Sequence, residues 1–147
     1  MKDMVTLAPD ALAALMPMHV IVGPTGHITA AGPTLASLCP TADLCGRRLL
    51  EVFEFRRPVA PANLADLLQQ SGRRLSLHFR LPPKTALKGL VMPLPDGAGA
   101  ILNLSFGIGA VQAVADHHLT AADFAPTDLT VEMLYLVDCL LYTSDAA

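Results

Sequence analysis

The hydrophobic positions change period several times along this chain, and each change marks a different element. Residues 7–15 put Ala8, Ala11, Leu12 and Leu15 on one side of a short helix. Pro17 stops that helix, since proline lacks an N–H and clashes with the preceding turn. His19-Val20-Ile21-Val22 then reads as a strand, Gly23-Pro24-Thr25-Gly26 as a tight turn, and residues 27–31 as the returning strand. Gly32-Pro33 ends the hairpin, and across residues 34–52 Leu35, Leu38, Leu44, Leu49 and Leu50 fit short helical turns. A second helix is predicted over 62–70, with Leu64, Leu67 and Leu68 on one face and Gly72 placed to cap its C-terminal end. From there the period becomes two. Leu75, Leu77, Phe79 and Leu81 alternate with Ser76, His78 and Arg80, as in a half-buried strand. Residues 87–94 give another strand, Pro95-Asp96-Gly97 a turn, and residues 100–106 the last strand. Two strands, short helices and three further strands predict an α+β domain: an antiparallel sheet of about five strands with helices on one face.

Residues 107–126 read as a glycine-containing, polar connection. Beyond it, Thr127 can cap a final helix in which Leu129, Met133 and Leu136 follow the four-three spacing of a coiled-coil seam. An apolar stripe that runs on toward the chain end implies a protein that continues. Residues 140–147 resemble the translated adapter tails that end many fragmentary reading frames, and Cys139 falls in with them, so this tail is set apart from the fold. The expected organisation is a domain over 1–126, the start of a signalling helix over 127–138, and a non-native tail over 139–147.

Composition narrows the class. Hydrophobic residues make up 52% of the 147 and charged residues 16%, which describes a folded globule with a core. Mean hydropathy is high, at +0.47, yet the apolar stretch over 11–22 is broken by Pro17 and His19 and is too short to span a bilayer. The excess apolar surface is therefore expected in an interface with another chain or domain. Three cysteines, Cys39, Cys45 and Cys139, without a secretory signal fit reduced thiols in the cytoplasm. A net charge of −3 makes no case for nucleic-acid binding. The charge is uneven, however: nine of the ten Lys and Arg lie between Arg47 and Lys88, and the stretch beyond holds seven acidic residues and no basic one.

Catalytic signatures do not emerge. The chain has no Gly-x-Ser-x-Gly elbow, no phosphate-cradling Gly-x-x-x-x-Gly-Lys loop and no Gly-x-Gly-x-x-Gly; Gly107-Ile108-Gly109 reads as a turn with no clear helix after it. Neither the five histidines nor Cys39 and Cys45 show structural-zinc spacing, so no metal and no cofactor is expected. His19 and His27 flank the first turn as a cross-strand surface pair, and His78 belongs on the outer face of its strand. Arg56 and Arg57, beside Phe53 and Phe55, could hold a helix turn against Glu51 or Glu54, or fork onto a carboxylate of a partner or small ligand. Leu77, Phe79, Met92, Leu102 and Leu104 could line a small-molecule pocket on the sheet or fill it as core.

Three segments carry a resemblance. Val52-Phe53-Glu54-Phe55-Arg56-Arg57-Pro58, Leu87-Lys88-Gly89 and Asp123-Phe124-Ala125-Pro126-Thr127-Asp128-Leu129-Thr130 resemble the haem-NO-binding-associated (HNOBA) domain in order and spacing, a likeness covering most of residues 7–138. That family is PAS-like. It helps pair the subunits of soluble guanylate cyclases, and in bacteria it precedes diguanylate cyclase or other output domains. The resemblance implies a non-catalytic domain that pairs with a second copy or a related PAS-like subunit and relays a signal to a C-terminal cyclase. A haem-NO-binding sensor domain or protein would be a further partner. It does not imply haem, because the Tyr-x-Ser-x-Arg signature of the separate haem sensor is missing: Tyr142-Thr143-Ser144 runs into Asp145-Ala146. The candidate interface and relay residues are Phe53, Phe55, Arg56, Arg57, Asp128, Leu129, Met133 and Leu136. The competing expectation is a stand-alone PAS-like module that binds a small molecule.

Overall fold

The computed structural model describes residues 5–39, 43–57, 60–81, 84–107 and 110–128. Helix α1 (Pro9–Leu15) opens with a proline in its first turn, where a missing N–H costs nothing. It ends at Met16, whose φ of −137° and ψ of 73° lie outside the helical region that a following proline disfavours. Strands β1 (His19–Val22) and β2 (Ile28–Ala31) form the predicted hairpin. Its turn is closed by hydrogen bonds from Gly26 N–H to the Gly23 carbonyl and from Gly23 N–H to the His27 carbonyl.

Short helices α2 (Pro33–Ser37) and α3 (Leu49–Val52) follow, and α3 runs straight into a strand, β3 (Phe53–Arg57). Helix α4 (Leu64–Leu68) is shorter than the predicted 62–70 but is capped at its start. The Asn63 side chain accepts from Asp66 N–H at 2.9 Å, and the Asp66 carboxylate accepts from Ala62 N–H at 3.1 Å. Strands β4 (Leu75–Phe79), β5 (Ala86–Pro93) and β6 (Ala100–Ser105) complete the sheet, and helix α5 (Ala110–His117) follows.

The sheet has six antiparallel strands in the order β2-β1-β6-β5-β4-β3. The expected count of about five falls short because of β3. Its apolar-polar alternation, Phe53/Phe55 against Glu54/Arg56, covers only two periods and directly follows leucines at helical spacing. Arg56 therefore stands on an edge strand, not on a helix turn. Helix α5 was also missed. It lies inside what reads as a polar connection, with Ala113 and Val114 turned to the core. The predicted helix beyond Thr127, with Leu129, Met133 and Leu136, lies outside the described residues.

One face of the sheet packs on α2, α3 and α4. Val20, Val22, Ile28, Phe53, Leu75 and Leu102 are fully or almost fully buried there, together with Leu35, Leu49 and Leu67 from the helices. Leu77, Phe79, Leu102 and Leu104 belong to this filled core, so the space proposed for a pocket on the inner face is occupied by side chains. Met92 does not join them: it points to the opposite face and is 50% exposed. Among the described residues, no helix is long and apolar enough to cross a membrane.

The thiols give a first check of this packing. Cys39 packs against the core, and burial raises its pKa, partly opposed by the nearby Arg47 charge, whereas Cys45 is exposed. Since the thiolate is the reacting species, iodoacetamide at mildly alkaline pH is expected to label Cys45 well before Cys39. Peptide mass spectrometry over time reads the order; equal rates would contradict the packing of Cys39.

Candidate functional site

The three resembling segments take up structural roles that the sequence does not reveal. In the first, Phe53 and Phe55 are only 0% and 3% exposed, and the Phe53 ring lies 4.8 Å from that of Phe79. They are core residues, so any part they play in pairing or relay would run through packing and not through exposed contact. Strand alternation then turns Glu54 and Arg56 to the outer face. Glu54 sits opposite His78 on β4, and its Oε2 lies 2.8 Å from His78 Nε2. Arg48 lies near Glu51, at 3.9 Å and with both side chains in solvent, a pair of little energetic weight. Arg57 ends β3 opposite Ser76.

In the second segment, Lys88 projects outward, and its Nζ donates to Ser76 Oγ at 3.2 Å. Gly89 faces inward between Leu75 and Leu104. A Cβ there would come within 2.5 Å of the Leu104 side chain and 2.6 Å of the Asn103 carbonyl oxygen, so the motif glycine is a packing requirement.

The third segment fastens the chain's exit to the sheet. Thr34 Oγ1 on α2 donates to the Asp123 carbonyl, and the Asp123 carboxylate accepts from Thr120 N–H at 2.7 Å. Phe124 is buried edge-on against Phe106, with ring centroids 6.0 Å apart. Asp128 N–H bonds the Ala125 carbonyl, and Asp128 lines a cleft with Leu15, Met16, Met18 and Leu104. The end of α1, the end of β6 and the exit thus meet in one place.

The register of the outer face shows two distinct halves. Ile21, Ile101 and Met92 lie side by side across β1, β6 and β5, with Leu90 one step along β5 and 46% exposed. On β3, β4 and β5 the same face carries Glu54, Arg56, Ser76, His78 and Lys88. These line a groove of about 430 Å³ together with Lys84.

The histidines are positioned differently from expectation. His19 is buried opposite Asn103, its Nδ1–H donating to the Met16 carbonyl at 2.7 Å, while His27 bridges to Arg48, so the two are not a cross-strand pair. His78 lies on the outer side of its strand as expected, but it is only 7% exposed. His117 Nε2 hydrogen-bonds Thr85 Oγ1 at 2.7 Å. Among the described residues, no group of three or more His, Cys, Asp or Glu could hold a metal ion.

The heme NO binding associated (HNOBA) family matches residues 5–89, more than half of the chain. The chain belongs to the HNOBA family. The matched stretch contains the first two segments, strands β1 to β4 and the first half of β5. No curated protein matches the chain. HNOBA is a non-catalytic domain associated with haem-NO-binding sensors, which supports a regulatory role. The family name does not put haem in this domain. His19 donates to the Met16 carbonyl and His78 lies 2.8 Å from the Glu54 carboxylate.

Proposed function

We propose that this chain is the PAS-like regulatory and pairing domain of a cytoplasmic cyclic-nucleotide signalling protein, a guanylate or diguanylate cyclase. It pairs with a second copy or a related subunit and passes a signal to a C-terminal output domain. A haem-NO-binding sensor domain is the natural source of the input. The observation that supports the relay most directly is the attachment of the exit: Thr34 holds the Asp123 carbonyl and Phe106 holds Phe124. A change in sheet packing would therefore bias the direction in which the chain leaves at Asp128, and the stripe of Leu129, Met133 and Leu136 would carry that bias onward. The exposed Met92 and Leu90, with the half-buried Ile21 and Ile101 beside them, supply apolar area for pairing.

Sedimentation velocity across a wide concentration range tests the pairing. The average mass is expected to rise with concentration, and Met92→Glu should suppress the rise without altering the thermal melt. A chain that stays monomeric throughout would overturn the pairing half. Reading the gene onward from Asp138 tests the relay half: a heptad-rich helix and a cyclase domain are expected, and a natural stop codon there would remove the output.

A further inference from the structure

We propose that the groove on the β3–β4–β5 half of the outer face binds a small, multiply charged anion of the phosphate-ester class. Three cations border it from different elements: Arg56 on β3, Lys88 on β5, and Lys84 in the connection that precedes β5. Among the described residues none of the three forms an ion pair, since the pairs present are Arg48–Glu51 and His78–Glu54. The acid in the wall, Glu54, is engaged at 2.8 Å by His78, a side chain buried to all but 9%. The register sets Glu54 opposite His78 and Lys88 opposite Ser76, so the two are not directly paired across the sheet.

The floor is made of short side chains. Ser76 and Ala86 lie between the long ones, which leaves about 430 Å³ open above the strands. That volume falls within the roughly 300–1,000 Å³ typical of small-ligand sites. Lys88 is also held in place, its ammonium donating to Ser76 Oγ at 3.2 Å, so ordering it costs less on binding than ordering a freely solvated lysine. A single carboxylate could satisfy only part of this arrangement. A phosphate ester or diphosphate offers enough oxygens for the planar guanidinium fork and both ammonium groups together. The inference does not depend on the relay: a strictly monomeric chain that binds the anion would overturn the pairing and leave this site standing.

The test is an amide-resolved NMR titration of the 147-residue chain with inorganic pyrophosphate, with acetate at matched ionic strength as the control. Saturable shifts are expected at Ser76, Lys84 and Lys88, and acetate should produce none. Arg56→Gln and Lys88→Gln should each weaken binding about tenfold, the size expected for losing one charge-assisted hydrogen bond. Glu54→Gln should bind at least as tightly as the parent chain. These are surface changes, and circular dichroism confirms that each variant is folded. Absent saturation, equal shifts with acetate, or unchanged affinity in both cation variants would overturn the site. Saturation by an oligoglutamate peptide but not by pyrophosphate would overturn it as well, in favour of an acidic protein partner.

Discussion

Phe53→Ala is expected to cost about 3–5 kcal/mol of stability, the usual penalty for emptying a buried aromatic site. Phe53 is fully buried, its ring is tilted against Phe79 at 4.8 Å, and it pairs with Phe79 across the β3–β4 ladder. Its loss would therefore loosen both the core and the attachment of an edge strand. Arg56→Ala, three residues further on and exposed, should stay within about 0.5 kcal/mol of the parent chain. Urea unfolding followed by circular dichroism measures both. A Phe53→Ala loss of less than about 1 kcal/mol would mean that β3 does not pack on the core as described. The comparison also separates the two halves of the Phe-Glu-Phe-Arg segment, one serving the core and the other the surface.

Gly99→Ala should be more damaging still, abolishing folding or costing more than about 4 kcal/mol. Gly99 has φ of +117°, a region that side chains rarely adopt. A Cβ there would lie 1.9 Å from the Val22 carbonyl oxygen and 2.8 Å from the Gly23 carbonyl carbon. Neither atom can retreat, because both belong to the backbone where β1 turns. Gly97 provides the control. It too has positive φ, at +67°, but a Cβ there would meet nothing within 4 Å. Its replacement by alanine should cost only the conformational strain, about 1–2 kcal/mol. Similar thermal melts for the two variants would show that the β5–β6 turn does not press on the first hairpin.

Much of this fold can be read from hydrophobic period. Strand β4 announces itself by alternation, the β1–β2 hairpin by the Gly23-Pro24-Thr25-Gly26 turn between two apolar runs, and β5 and β6 by the apolar runs on either side of Pro95-Asp96-Gly97. Strand β3 does not: Phe53 and Phe55 are too brief a pattern beside Leu49 and Leu50 to outweigh the helical spacing. Helix α5 is hidden for a different reason: Gly107 and Gly109 precede it and Asp116-His117-His118 close it, so a short run of small apolar residues is read with its flanks as a connection. The site was legible only as a set of segments. Sequence likeness pointed to residues 52–58, 87–89 and 123–130 but could not say which way their side chains face. That likeness makes Phe53 and Phe55 interface or relay candidates, and the structure sets them in the core while their neighbours Glu54 and Arg56 occupy the outer surface. The meeting of Glu54 with His78, and of Lys88 with Ser76, depends on strand register, which no spacing along the chain encodes.

The placement of β1 between β2 and β6 has a consequence for how the molecule is made. The first strand completes its ladder only when the last strand arrives, His19 opposite Asn103 and Val22 opposite Ala100. A ribosome releasing the chain from its N-terminus leaves the first hairpin with an open side until almost the entire domain has emerged, and contacts so distant in sequence are slow to form. Trimming the protein to residues 5–89 would freeze that unfinished stage. It would cut β5 in half, discard β6, which joins β1 to β5, and leave two sticky edges in place of one continuous sheet.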